Sequence, residues 1–124
     1  MIKVGWGNTK QEYLIWQFQE DWHMKDYRQA FNKTADLLAS QGISPILVDM
    51  RLVGSKNLLA MAYESLQYKT FLTNRVIFVG TLTLLRPIYT MLCNLLAQKG
   101  IRVSLVETMD EAYQIIIQEK TSRV

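Results

Sequence analysis

Triad chemistry needs a nucleophile, a histidine base and an orienting carboxylate, and the chain offers one histidine and one cysteine to build from. His23 stands just ahead of a helical run, at an N-cap position where a ring nitrogen can accept from an orphan backbone N–H. Cys93 follows Leu92 inside a helical pattern and reads as a small core side chain rather than a reactive thiol. Paired carboxylates do acid–base work only when they converge with separated pKa values. Glu20-Asp21 and Asp110-Glu111 are instead adjacent pairs that precede or open helices, where they suit the positive end of the dipole. A metal would have to rely on these carboxylates, and their spacing offers no site. Gly5-Trp6-Gly7 is a lone G-x-G inside a strand, without the third glycine and following helix of a dinucleotide fingerprint. The residues therefore predict no enzyme, no cofactor and no metal.

The segment with most chemical potential is Asp49-Met50-Arg51-Leu52-Val53-Gly54-Ser55-Lys56-Asn57. Ser55 would cap a helix whose free N–H groups and dipole, with Lys56 and Arg51 close by, form a candidate anion or phospho-switch site. Asp49, Gly54 and Asn57 complete a candidate partner surface. The plain alternative is an ordinary serine N-cap; phosphorylation there would add about two negative charges at a helix start. A second candidate is an apolar pocket between the sheet and the third helix, lined by Phe78, Leu92 and Leu96. Trp6, Trp16, Trp22 and Tyr13 gather near one edge of the predicted sheet, and Ile115 and Ile117 flank the last helix's main stripe. Such side chains belong either to the core or to a partner surface.

These residues must be positioned by a regular alternation of elements. Ile2, Val4 and Trp6 alternate with Lys3, Gly5 and Gly7, the period of a half-buried strand, and Gly7-Asn8 supplies a turn into a second strand over Tyr13 to Phe18. Tyr27, Ala30, Phe31 and Leu38 keep helical spacing from about Met24 to Gln41, with Gly42 as the stop. Ile46-Leu47-Val48 is a short apolar run expected to be covered on both sides. Leu58, Leu59, Ala62 and Leu66 predict a second helix from about Lys56 to Tyr68. Val76-Ile77-Phe78-Val79 is a central strand closed by Gly80. A third helix starts near Pro87, after an irregular lead-in from Thr81 to Arg86, and ends at Lys99-Gly100. Ile101, Val103 and Leu105 alternate with Arg102 and Ser104 in a fifth strand. Thr108-Met109-Asp110-Glu111 is a capping-box pattern that opens the last helix. The order is ββαβαβαβα, an α/β fold with about five strands in a mostly parallel sheet, four helices and an antiparallel N-terminal edge strand.

At 124 residues the chain fits a single domain, 1–124. With 49% hydrophobic residues and 20% charged it lies outside the regime of disorder. The net charge of +3 is spread from Lys3 to Arg123 without a cluster, which gives no nucleic-acid platform. Residues Val76 to Ala97 are mostly apolar, yet Gly80, Arg86-Pro87 and Asn94 break any run long enough to span a bilayer, so no stable membrane insertion is expected. One cysteine and a start without a signal-peptide pattern predict a cytoplasmic protein.

The whole pattern resembles the STAS fold, the domain of anti-sigma-factor antagonists and sulfate-transporter tails, in its free-standing SpoIIAA-like branch. The resemblance covers nearly the full chain. It rests on the element order, on Ile46-Leu47-Val48-Asp49 entering a Ser-containing junction and on Val76-Ile77-Phe78-Val79-Gly80. It rests also on Trp22-His23-Met24-Lys25-Asp26-Tyr27 and on the ending from Ile101 to Ala112. It implies a regulatory, non-catalytic bacterial module that binds a protein partner, such as a switch kinase or an anti-sigma factor, or binds itself as a homodimer. In that family a kinase phosphorylates a Ser or Thr in an Asp-Ser-Ser-Gly-like turn at the start of the second helix. Ser55 is the residue matching that position, with Gly54 where the family carries Asp. Distant relatives with nucleotide or lipid-like ligands imply an alternative, a small-ligand carrier using the apolar pocket.

Overall fold

The computed structural model describes residues 1–39, 44–53, 60–61, 64, 75–80 and 86–122. Its described elements are β1 (Ile2–Trp6), β2 (Leu14–Phe18), α1 (Met24–Leu38), β3 (Ile46–Asp49), β4 (Arg75–Val79), α2 (Arg86–Ala97), β5 (Arg102–Val106) and α3 (Met109–Ser122). The five strands form one sheet in sequential order, β1-β2-β3-β4-β5. β1 runs antiparallel to β2, with Ile2 opposite Phe18 and Trp6 opposite Leu14, and the remaining pairs are parallel.

Alternation along each strand sorts side chains into two cores. Ile2, Val4, Leu14, Trp16, Phe18, Ile46, Val48 and Phe78 face one side, where they pack with Tyr27, Ala30 and Leu38 of α1 and Tyr89, Leu92 and Leu96 of α2. Tyr13, Leu47, Ile77, Val79 and Val106 meet Ala112 and Ile116 of α3 in a second cluster. With α1 and α2 on one face and α3 on the other, the molecule has three layers. A sequential parallel order with its crossover helices on one face is what repeated right-handed connections generate.

The predicted turns and stops have specific local causes. In the hairpin, Gly7 N donates to Tyr13 O at 2.8 Å, and the Asn8 side chain accepts from Glu12 N at 3.0 Å. The Tyr13 ring lies so close to Gly7 that a Cβ there would overlap it. α2 ends at Gly100, whose φ of 83° is in the left-handed region. Ile101 N donates to Leu96 O at 3.1 Å and Gly100 N to Ala97 O at 3.0 Å, the paired bonds of a Schellman stop. At the start of α3 Glu111 N donates to Thr108 Oγ1 at 3.2 Å, the N-cap half of the capping-box pattern.

The boundaries shift where side chains find partners. β4 begins one residue before the predicted Val76, because Arg75 is buried and fully employed: Nε donates to Glu119 Oε1 at 2.8 Å, Nη2 to Ser104 Oγ at 2.7 Å, and Nη1 to the carbonyls of Arg102 and Val76. β5 runs one residue past the expected Leu105, since Val106 O accepts from Gly80 N at 2.9 Å. The predicted helix from Lys56 to Tyr68, the stop at Gly42 and the lead-in from Thr81 to Arg86 lie wholly or mostly outside the described residues, except that Arg86, expected to be irregular, is already the first residue of α2. Within that helix Ala60, Met61 and Glu64 are helical. Met61 joins the core on the α1 and α2 face, and Glu64 binds Arg28 of α1 at 2.8 Å.

Candidate docking surface at the carboxyl ends of the strands

In open α/β sheets, ligands and partners meet the sheet beyond the carboxyl ends of its strands. Here β3 delivers Asp49 to that end and the chain turns at once, with Val53 N donating to Met50 O at 3.0 Å. Met50 N donates to Val79 O at 2.8 Å, which fixes the turn against the end of β4. Among the described strands the sequential order contains no reversal, the place where such sheets open a crevice for a nucleotide.

Asp49 and Arg51 form a closed fork across this turn. Arg51 Nε donates to Asp49 Oδ1 at 2.8 Å and Nη2 to Oδ2 at 2.6 Å, while the Arg51 amide donates to Oδ1 at 3.1 Å. Burial alone would push the Asp49 carboxyl up. The side-chain and backbone hydrogen bonds from Arg51, together with its charge, outweigh burial and hold the carboxyl below the usual carboxylate range. The side-chain bonds that Arg51 donates to Asp49, and the carboxylate's charge, raise the Arg51 pKa above its ordinary value. The carboxylate is 11% exposed and the Arg51 side chain 57%, so the pair presents a charge at the surface from a buried anchor.

Two neighbours shape the fork. Gly80 closes β4 with φ at 80°, and a Cβ there would collide with Arg51 Cγ. Leu52, directly after Arg51, is 52% exposed. Of the residues singled out at this junction, the structure brings Asp49 and Arg51 together, and Gly54, Ser55, Lys56 and Asn57 lie outside the described residues. His23 occupies the N-cap of α1, where Asp26 Oδ2 accepts from the His23 amide at 2.9 Å. Cys93, expected as a core side chain, is half buried and lines an open recess beside β5, and partial burial pushes its thiol up.

The predicted apolar pocket corresponds to a cavity of about 60 Å³ walled by Phe78 and Leu96 together with Trp16, Phe31, Ile46 and Met61. Leu92 is buried in the same core, and among the described residues it is not part of this wall. The space amounts to roughly two water volumes, against about 300 Å³ for the smallest ordinary ligand pockets. Sequence reasoning did not anticipate a larger open groove of about 910 Å³ between the hairpin loop and α3, lined by Asn8, Glu12, Tyr13, Tyr113, Ile116, Ile117 and Lys120. Two of its lining residues pair, Lys120 Nζ to Glu12 Oε2 at 2.6 Å, and this bond holds the Glu12 carboxyl below its ordinary range. The trace of this groove in the sequence is Tyr113 and Ile117, which fall beside the buried Ala112 and Ile116 on α3. Among the described residues no group of three or more His, Cys, Asp or Glu side chains could hold a metal ion, and no helix is long and apolar enough to cross a membrane. The chain matches no protein-family model, no curated protein and no solved structure.

Proposed function

We propose that the chain is a non-catalytic, STAS-like regulatory module that docks a protein partner through the turn at the carboxyl end of β3. The α/β sheet, antiparallel at its first strand and parallel thereafter, supports this reading alongside the residue resemblance. The observation that carries it is the side-by-side display of Arg51 and Leu52. Asp49 immobilises the arginine from below, and an apolar side chain stands half exposed next to it. A guanidinium already ordered by a buried carboxylate loses little side-chain entropy when a partner covers it, and arginine is enriched among interface anchors. The partner class is a switch kinase or an anti-sigma factor, and the family logic makes Ser55, two positions beyond Val53 in the sequence, the residue whose modification would control docking.

The test is recovery of the tagged protein from its own host with chemical cross-linking and mass spectrometry. A stoichiometric partner is expected, cross-linked near Arg51 and lost from both Leu52→Asp and Ser55→Glu proteins whose circular dichroism is unchanged. Undiminished recovery with both variants overturns the reading of this surface.

A further inference from the structure

Among the described residues, β5 is an edge strand, and its outer side offers backbone donors and acceptors to a neighbour. Which residues offer them follows from the inner side. Val106 O accepts from Gly80 N of the turn closing β4, so Val106, and by alternation Ser104 and Arg102, direct their backbone groups inward. Val103 and Leu105 therefore direct theirs outward. Both side chains are half buried, and Val103 lines an open recess of about 500 Å³ with Cys93, Asn94, Ala97 and Ile101.

We infer that β5 pairs with β5 of a second copy of this chain, antiparallel about a two-fold axis through Ser104, to give a continuous ten-stranded sheet. In that register Val103 meets Leu105 of the second copy twice over, so the residues with outward backbone groups form the hydrogen-bonded pairs. Apolar side chains then meet apolar side chains on the α2 face, and the second copy's Leu105 arrives beside the recess lined by Val103. Ser104 meets Ser104 at the axis.

Charge selects this edge and this direction. Arg102, its side chain 63% exposed and in a long 3.8 Å contact with Glu119 of α3, lies at the amino end of β5, while Glu107, Asp110 and Glu111 follow its carboxyl end, all exposed. Antiparallel apposition sets the basic end of each copy against the acidic end of the other. The opposite edge does the reverse: pairing β1 about its central Val4 would bring two copies of the exposed Lys3 towards the axis, the charge arrangement that guards an edge against pairing. An isologous contact of this kind closes on itself and builds no filament.

The full-length chain is expected to sediment as a dimer at micromolar concentration, and Val103→Lys to sediment as a monomer with an unchanged far-UV spectrum. In a C93S background, S104C is expected to form an intermolecular disulfide on mild oxidation, since non-hydrogen-bonded antiparallel pairs place Cα atoms about 4.5 Å apart, within disulfide reach. That readout stands even if the lysine variant fails to fold. L52D and S55E should leave the dimer intact, which separates this interface from partner docking at the β3 turn. A monomeric wild-type chain, a dimer that persists in folded V103K, or a dimer in which S104C stays reduced would overturn the inference.

Discussion

The Trp16 indole Nε1 donates to the Thr34 hydroxyl at 3.0 Å, and that hydroxyl donates in turn to the Ala30 carbonyl at 2.8 Å. β2 is thereby tied to α1 through a polar bond inside an aromatic cluster, with Trp16 meeting the Phe31 ring edge-on at a centroid distance of 5.1 Å. Thr34 is fully buried, so Thr34→Val leaves the indole N–H without an acceptor in the core. The expected loss is about 1–3 kcal/mol, read as a lower urea midpoint at unchanged slope. Thr34→Ser keeps the bond and should stay close to wild type.

This pair also marks where sequence reading stops. Period-two and helical patterns place Trp16 and Ala30 inward correctly, because burial of apolar side chains is a local rule. Nothing in the spacing says that a threonine eighteen positions along would answer the indole, since that partnership depends on how α1 docks. The same limit explains Arg75. The strand reading starts at Val76 because a charge ahead of the β-prone run carries no burial signal, and only the approach of Glu119 from α3 and Ser104 from β5 makes the burial of Arg75 tolerable. Gly80 and Gly100 were legible as stops because both take positive φ, a requirement local to the chain. The fork of Asp49 and Arg51 was half legible: the two lie close in sequence, but their mutual neutralisation comes from the turn geometry.

Arg75 predicts a severe substitution. Arg75→Met removes the buried partner of Glu119, leaving that carboxylate the longer, exposed contact with Arg102 at 3.8 Å, and leaves Ser104 Oγ and two carbonyls without their shared donor. Breaking a buried pair from one side costs about 3–5 kcal/mol. Because Glu119 belongs to α3, the loss should appear first as faster hydrogen exchange in α3 and β5, ahead of the sheet centre. Equal protection of α3 in wild type and R75M would contradict this account.

The lowered Asp49 pKa sets a pH dependence with a definite sign. A carboxyl depressed in the folded state contributes stability that is present above its unfolded value and lost as pH falls through the folded one. Between roughly pH 5 and 2 the wild-type chain should lose that contribution progressively. Asp49→Asn cannot titrate there. Its urea midpoint should therefore lie below wild type at pH 7, and the gap should close as the pH falls. A gap constant from pH 7 to 3 would mean that the fork with Arg51 adds no pH-dependent stability.

Gly80 and Arg51 permit a sharper test, because two separable costs meet at one position. Gly80→Ala places a side chain at a φ of 80°, a strain of about 1–3 kcal/mol for a residue with a Cβ, and it also drives Arg51 Cγ out of contact. The second cost falls on the fork, since an arginine displaced at Cγ cannot keep both bonds to Asp49. Arg51→Ala removes the overlap with Cγ but leaves the backbone strain and the tighter contacts with Cα and Cβ of residue 51. In a double-mutant cycle the G80A/R51A protein should be more stable than the sum of the single losses predicts, the surplus measuring the collision. Strict additivity would show that Arg51 swings clear at no cost, and the arginine would then be a mobile surface charge instead of an anchored one.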